Sequence, residues 1–238
     1  MTSLSQNKTS FTEYFGRAMT LYAENFLALV NFSFACIAPT IFKALFDATD
    51  DPGVSLLGLL LAPIVFGVYT FFSMCLTYMT ASLAMGQGVT AKDAMGYVAA
   101  RFLRGVGGYL LLSLAVIVGF VLLIVPGIYC FTVFYFFIYE ILLEDKGIIA
   151  SFKRSDELVR HRFWRVLAAH GLVFLLTALL FMPLVIGMKM MGLDNGLSMV
   201  LTGVVAALLM PVFVAFYYFI YADLKVEYDG VINISVTS

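Results

Sequence analysis

The chain has 238 residues and a net charge of −1; 62% of its residues are hydrophobic and only 12% are charged. Ordinary soluble domains carry about 25% charged residues, so this composition excludes a typical soluble domain. The near-zero net charge also gives no bulk electrostatic reason to expect nucleic acid as a partner.

The apolar residues are gathered in uncharged runs that are long enough to cross a membrane. About 20 apolar residues in a helix span a hydrocarbon core of about 30 Å, and continuous runs favour helices over the alternating strands of a barrel. Segment 1–10 is polar and has no secretory signal, so we expect the first helix to be retained. The predicted spans are residues 26–46, 56–84, 104–125, 128–143, 166–188 and 197–222. The sequence therefore predicts an all-α, polytopic membrane protein with about six transmembrane helices in a single transmembrane domain, residues 1–238.

Lysine and arginine residues are divided unevenly between the two sets of loops. Twelve of the fourteen lie in the N-terminal arm, between spans two and three, between spans four and five, or in the tail. Only Lys43 and Lys189 fall on the other side. Because cytoplasmic loops carry an excess of basic residues, both termini are predicted to be cytoplasmic.

A short pattern occurs three times along the chain. In each copy a small residue is followed by apolar residues at the third and fourth positions and by phenylalanine at the eighth, which places them on one helical face. The pairs are Ala18 and Phe26, Ala94 and Phe102, and Ser155 and Phe163. The pattern predicts three parallel hairpin repeats of two spans, each preceded by a cytoplasmic interfacial helix, in units of about 10–86, 87–146 and 147–230. The alternative is that any helix entering a membrane has this apolar spacing.

Local sequence motifs support the boundaries of the predicted helices. Capping-box signatures, Ser10 to Glu13 and Thr90 to Asp93, predict the starts of the first two interfacial helices. The third and fourth spans are joined through Pro126 and Gly127 without a polar loop, which predicts a tight structural turn at these two residues.

Three polar residues are predicted to lie at membrane depth, where such residues are often functional. Glu140 is either a proton or substrate group, or an acid that pairs with Arg101, Arg104 or Arg165 or reaches the interface. His170 is either a proton relay or a packed, hydrogen-bonded histidine. For Asn31 the sequence favours an interhelical hydrogen bond.

A basic amphipathic helix is predicted before the fifth span. Besides its apolar residues, this segment carries five basic residues, which we interpret as contacts to anionic lipid headgroups. The alternative is that they serve only for topology and anchoring at the interface. The five residues are Lys153, Arg154, Arg160, Arg162 and Arg165.

Several short runs resemble one group of membrane proteins. Val125–Ile128, Leu142–Gly147, Ser155–Leu158 and Arg162–Trp164 resemble the YciC-like, uncharacterised inner-membrane proteins of bacteria. They are also similar to the group that includes the membrane domain attached to some glycerophosphodiester phosphodiesterases, and Tyr221–Leu224 resembles the exit of the last helix. The resemblance implies a bacterial cytoplasmic membrane and a role in lipid or envelope processes. It supplies no catalytic residues, because the phosphodiesterase chemistry belongs to a separate soluble domain.

Catalytic and metal-binding motifs are absent from the sequence. His161 and His170 are nine residues apart, and the three cysteines lie singly in apolar runs, so no catalytic residue, metal site or cofactor is predicted. The first hypothesis is a non-enzymatic membrane protein that binds or organises lipid or envelope components. The alternatives are a small-molecule or lipid transporter or channel with a polar path near the repeat axis, and a membrane enzyme. Membrane lipids, including anionic ones, are the expected partners; the sequence identifies no protein partner.

Overall fold

A computed structural model describes residues 10–47 and 52–237, and within these ranges it contains eleven helices and no strand. The helices, numbered in chain order, are α1 (Phe11–Glu24), α2 (Phe26–Ala35), α3 (Ala38–Asp47), α4 (Pro52–Ala84), α5 (Ala91–Ala99), α6 (Phe102–Leu122), α7 (Ile124–Phe134), α8 (Phe137–Leu143), α9 (Ile148–Arg160), α10 (Phe163–Met190) and α11 (Asn195–Thr237).

Five segments are long and apolar enough to cross a membrane. They are Leu56–Ala84, Phe102–Leu122, Ile124–Leu143, Phe163–Met190 and Asn195–Gly230. A sixth is present only if α1 and the segment Phe26–Phe42, which meet at 95°, are counted together. The structure thus supports five to six spans. Most of their apolar surface is exposed in the single chain, and lipid is the solvent that such a surface requires.

The short helices α1, α5 and α9 have the features that the sequence predicts. Both capping boxes form, at Ser10 with Glu13 and at Thr90 with Asp93. The small residues of the pattern, Ala18, Ala94 and Ser155, are fully buried, and the phenylalanine at each eighth position is the first residue of the next helix. The small residue of the pattern is therefore a buried position in all three helices, and the repeat itself stays a prediction.

One end of the helix bundle carries all three short helices. Tyr14 of α1 bonds Asp223, Arg154 of α9 bonds Asp229, and Tyr97 of α5 lines a cavity together with Asp229. We call this the basal end, and we call the opposite end, with the α10–α11 turn at Met191–Asp194, the distal end. The buried aromatic core lies at the basal end, around Phe136, Phe137, Phe216 and Tyr221.

The turn between α6 and α7 differs from the prediction. The chain reverses at Leu123, whose backbone is extended, and Pro126 and Gly127 lie inside the first turn of α7. Proline is tolerated there because the first amides of a helix have no intrahelical acceptor. Gly119 and Gly127 instead allow α6 and α7 to pack closely against each other. A Cβ added to Gly119 would lie only 2.8 Å from the Gly127 Cα.

The last helix is longer than predicted. The apolar run ends near residue 222, but α11 continues to Thr237. This extension brings Asp223, Glu227 and Asp229 beside α9 and the start of α10, and it determines how the basal charges are paired.

Candidate functional site

Glu140 is completely buried in the middle of the short helix α8. Its carboxylate accepts hydrogen bonds from the Lys146 ammonium at 2.5 Å and from the Tyr221 hydroxyl at 2.9 Å. The sequence analysis offered an arginine as the partner of Glu140. This prediction is wrong, because Arg101 and Arg104 bind Asp145 instead, at 3.0 and 2.7 Å. Lys146 reaches Glu140 because the chain turns back after α8, where the Lys146 amide also donates to the Glu140 carbonyl.

Asp145 forms a separate ion-pair centre at the basal surface. Its backbone has a φ of 52°, a left-handed conformation that aspartate and asparagine tolerate better than most residues. The hydrogen bond from Arg104 holds the pKa of this carboxyl below its usual range, and the charges of Arg101 and Arg104 act in the same direction. The two arginines therefore fix the α8–α9 connection to the start of α6.

His170 lies in an aromatic cage inside the bundle. Its Nδ1 is 2.8 Å from the Tyr217 hydroxyl, and its ring packs against Phe131 and Tyr135. Within the described residues its Nε2 is buried and has no hydrogen-bond partner. The ring is packed on α11 through Tyr217.

Asn31 is placed differently from the prediction. The residue lies on the exposed face of α2. Within residues 10–47 and 52–237 its amide forms no interhelical hydrogen bond, so the bond predicted for it is not made inside this part of the chain.

Most of the basic residues predicted to contact lipid pair with acids of the same chain. Arg154 binds Asp229 at 2.6 Å, Arg160 binds Asp156, and Arg162 binds Glu227 at 2.8 Å. Arg165 binds Glu227 at 3.0 Å and Asp223 at 3.2 Å, and it also donates to the Tyr14 hydroxyl. The acids come mainly from the extension of α11, which the sequence analysis missed. Asp223 and Glu227 are four residues apart with no helix breaker before Gly230, a spacing that could have revealed the extension.

A smaller exposed surface remains on the predicted basic helix. Ile149, Lys153 and Arg160 are exposed on α9, and Trp164 at the start of α10 is 77% exposed. Spacings of four and seven put the α9 residues on one face. Tryptophan and lysine are typical of a membrane interface, so contact of this face with lipid headgroups stays a prediction.

A groove of about 460 Å³ opens among the long apolar helices. We call it the intramembrane groove. Side chains of α2, α3, α4, α7, α10 and α11 line it, and most of them are apolar. Gly203, Ala206 and Ala207 make room for it along α11, and Gly203 also allows α3 to approach closely, since a Cβ there would lie 3.1 Å from Thr40.

Tyrosine residues line one end of the intramembrane groove. Tyr135 and Tyr217 both line it, and Tyr217 connects it to His170. At about 1.5 Å per residue, α11 rises about 21 Å between Gly203 and Tyr217. The groove therefore extends about 21 Å along α11, which is more than the roughly 15 Å thickness of one hydrocarbon leaflet.

A profile described as a domain of unknown function (DUF7847) matches residues 73–224, which is more than half of the chain. The chain belongs to this family. No curated protein and no solved structure matches it. The description of this family names no activity, and none of the comparisons tests the resemblance to YciC-like proteins, which stays a prediction.

The DUF7847 domain covers only part of the intramembrane groove. It contains the walls from α7, α10 and α11, together with Glu140, His170 and the paired arginines. The walls from α2, α3 and Tyr69 lie outside it. Among the described residues, no group of three or more histidine, cysteine or acidic side chains is arranged to hold a metal ion.

Proposed function

We propose that this protein is a non-enzymatic, multi-pass membrane protein that binds membrane lipid in its intramembrane groove and thereby organises lipid or envelope components. The observation that carries the proposal is the groove itself. It has a volume of about 460 Å³ and a mostly apolar lining, and it is open rather than enclosed. An apolar groove surrounded by lipid is filled at the lowest cost by an acyl chain, because an empty one forfeits dispersion contacts with its lining.

The uneven distribution of basic residues supports an orientation for this proposal. The basal end carries most of the lysines and arginines, and the positive-inside rule assigns such an end to the cytoplasm. The resemblance to YciC-like proteins supports the bacterial inner membrane. Ile149, Lys153 and Trp164 would then contact the headgroups of the cytoplasmic leaflet.

Transport is the weaker alternative. A transporter needs a polar path at mid-membrane, but Glu140 is enclosed by Lys146 and Tyr221, and the groove lining is mostly apolar. The transporter hypothesis predicts that Glu140→Ala or His170→Ala abolishes flux without unfolding the protein. The lipid-binding proposal places neither residue in direct contact with the acyl chain.

The test is a native mass spectrum of the protein in a mild nonionic detergent, with analysis of the lipids that copurify. Wild-type protein is expected to keep bound lipid. The variant Ala206→Trp, which fills the groove from an exposed position, should lose it. Leu179→Trp is the matched control, because Leu179 is 63% exposed on α10 and does not line the groove. Equal lipid retention by the wild type and both variants would disprove the proposal.

A further inference from the structure

The polar groups of the intramembrane groove are uncharged. Among the described residues that line it there is no aspartate, glutamate, lysine, arginine or histidine. In hydrocarbon, a phosphate or another ionised group without a charged partner is very costly. The polar part of any ligand that enters the groove must therefore be uncharged, and the phosphate of a phospholipid would have to stay outside it.

Two tyrosine hydroxyl groups are available for hydrogen bonds with a ligand. Ser33 and Thr177 also line the groove, but each donates to a carbonyl of its own helix, at 3.0 and 2.7 Å. Tyr135 is half-buried; its hydroxyl is accessible and has no hydrogen-bond partner within the described part of the chain. The same holds for the pairing of Tyr69, which is 37% exposed and lines the groove from α4. Because hydrocarbon offers such donors no water, an acceptor on a ligand would satisfy them.

Tyr217 offers a further hydroxyl group through its hydrogen bond with His170. The His170 Nδ1 lies 2.8 Å from the Tyr217 oxygen, and among the described residues the buried Nε2 has no partner. A proton on Nε2 would leave a buried N–H donor unsatisfied, whereas a proton on Nδ1 leaves only a lone pair there. Orphaned buried donors are rarer than orphaned acceptors, which assigns the proton to Nδ1. Nδ1–H then donates to the Tyr217 oxygen, and the Tyr217 O–H is free to donate to a ligand.

Aromatic rings form much of the groove wall. Six of the eighteen described residues that line it are aromatic, against 16% of the whole chain. Phe131 packs against the His170 ring at 4.9 Å between centroids, and the Tyr135 ring lies 4.5 Å from that of Tyr217. Aromatic side chains form favourable offset and edge contacts with other planar rings. The wall around the hydroxyl groups therefore suits a flat ring better than a flexible glycerol backbone.

The hydroxyl group of Tyr217 lies deeper in the bundle than the basal charges. Arg165 pairs with Glu227 at the basal end, and His170 follows Arg165 by five residues, or about 7.5 Å along α10. Tyr217 is bonded to His170 and shares its depth. A phospholipid keeps its phosphate and ester groups at the membrane surface, whereas an uncharged head can enter the hydrocarbon at this depth.

We infer that the intramembrane groove binds a lipid with a planar, uncharged head that carries carbonyl acceptors, the chemistry of an isoprenoid quinone. Its carbonyl oxygens accept hydrogen bonds from Tyr135 and Tyr217, with Tyr69 as a further donor, and its tail follows α11 toward Gly203. This inference rests on the proposed function and specifies its ligand: the isoprenoid tail takes the place of an acyl chain in the groove.

The experiment titrates three probes onto delipidated protein in nonionic detergent and counts the bound molecules by native mass spectrometry. The probes are a ubiquinone with two isoprene units, dioleoylglycerol, which is uncharged but has no ring, and phosphatidylglycerol, which is charged. The quinone is expected to bind about tenfold more tightly than either glycerolipid, since two neutral hydrogen bonds are each worth a factor of about three.

The variants remove hydroxyl groups and keep the rings. Tyr69→Phe combined with Tyr135→Phe should weaken quinone binding about tenfold and leave binding of the two glycerolipids unchanged. Both hydroxyl groups lack a partner among the described residues, so their removal breaks no hydrogen bond within this part of the chain. Tyr129→Phe is the matched control on α7, because Tyr129 is 42% exposed and does not line the groove, and it should bind the quinone as the wild type does.

Three outcomes would overturn the inference: a quinone that binds wild-type protein no more tightly than dioleoylglycerol, a preference that survives the double variant, or an equal loss in Tyr129→Phe. If Ala206→Trp still loses its bound lipid while one of these outcomes holds, the proposed function stands and only the quinone assignment fails. If Ala206→Trp changes nothing, the proposed function itself fails.

Discussion

At the scale of single residues, the buried pair of Glu140 and Lys146 gives a direct prediction. Replacing Lys146 with methionine leaves a buried carboxylate with only the Tyr221 hydroxyl as partner. We expect Lys146→Met to destabilise the protein by about 1–3 kcal/mol, the cost of an unsatisfied buried polar group. Adding Glu140→Gln removes the unpaired charge and should recover most of the loss. Thermal unfolding of the purified variants in detergent measures both effects; a double variant that is less stable than Lys146→Met would contradict this account.

Asp145 predicts a dependence of stability on pH. Arg104 and Arg101 lower the pKa of its carboxyl, so the ion pairs stabilise the folded protein above the unfolded pKa of about 3.9 and are lost as the pH falls through the lowered folded pKa. Asparagine at position 145 tolerates the positive φ but forms no ion pair. The midpoint of thermal unfolding of Asp145→Asn should therefore lie below that of wild type at pH 7 and pH 5, and the difference should shrink below pH 4. A difference that is unchanged at pH 3 would show that the ion pairs are not its source.

Single residues also show what the sequence could predict. The position of Glu140 near the end of a span follows from the apolar pattern alone. Its partners do not, because Lys146 reaches it through a turn of the backbone and Tyr221 is 81 residues away. His170 is similar: the pattern places it inside the fifth span, but only the packed bundle brings it to Tyr217.

At the scale of helices, the ion pairs between α9 and α11 predict a coupling. Arg154 and Asp229 are partly exposed and 2.6 Å apart, and the Arg154 guanidinium also lies over the Tyr228 ring. Arg154→Asp and Asp229→Arg should each loosen the end of α11, and the two together should restore the pair, with a coupling of about 1 kcal/mol or less. Hydrogen exchange of residues 223–230 measures the loosening. High salt should reduce the coupling, and additive single effects would show that the pair does not hold α11 in place.

Helix boundaries followed from the sequence where the signal is local. Ser10 and Thr90 each form the capping box that their spacing predicts, because a capping box involves only four neighbouring residues. The turn was misplaced because Pro126 and Gly127 serve helix packing rather than chain reversal. The extension of α11 was missed because its stability comes from arginines on other helices. The intramembrane groove could not be predicted, since side chains of six helices line it.

At the scale of the whole molecule, the two ends of the bundle have different chemistry. The basal end holds the aromatic core, the short helices and ion pairs that neutralise most of its arginines. The distal end has little buried polar structure besides Ser198 among the described residues. Dense packing at the basal end, together with an open groove among the long helices, is what a protein needs if it holds a lipid without enclosing it.

This two-ended arrangement predicts which positions are accessible from each side of the membrane. Gln87, between α4 and α5, is exposed at the basal end, and Met191, 78% exposed, lies in the distal turn. With a membrane-impermeant maleimide, Gln87→Cys should react only in inverted vesicles and Met191→Cys only in intact spheroplasts, because the basic loops favour a cytoplasmic basal end. The wild-type chain is the control, since Cys36 and Cys75 are buried and Cys130 is half-buried within apolar helices. The reverse pattern would invert the proposed orientation. Labelling of both positions from one side would mean that the bundle does not cross the membrane between them. The groove would then not lie within the membrane, and the lipid-binding proposal would be wrong.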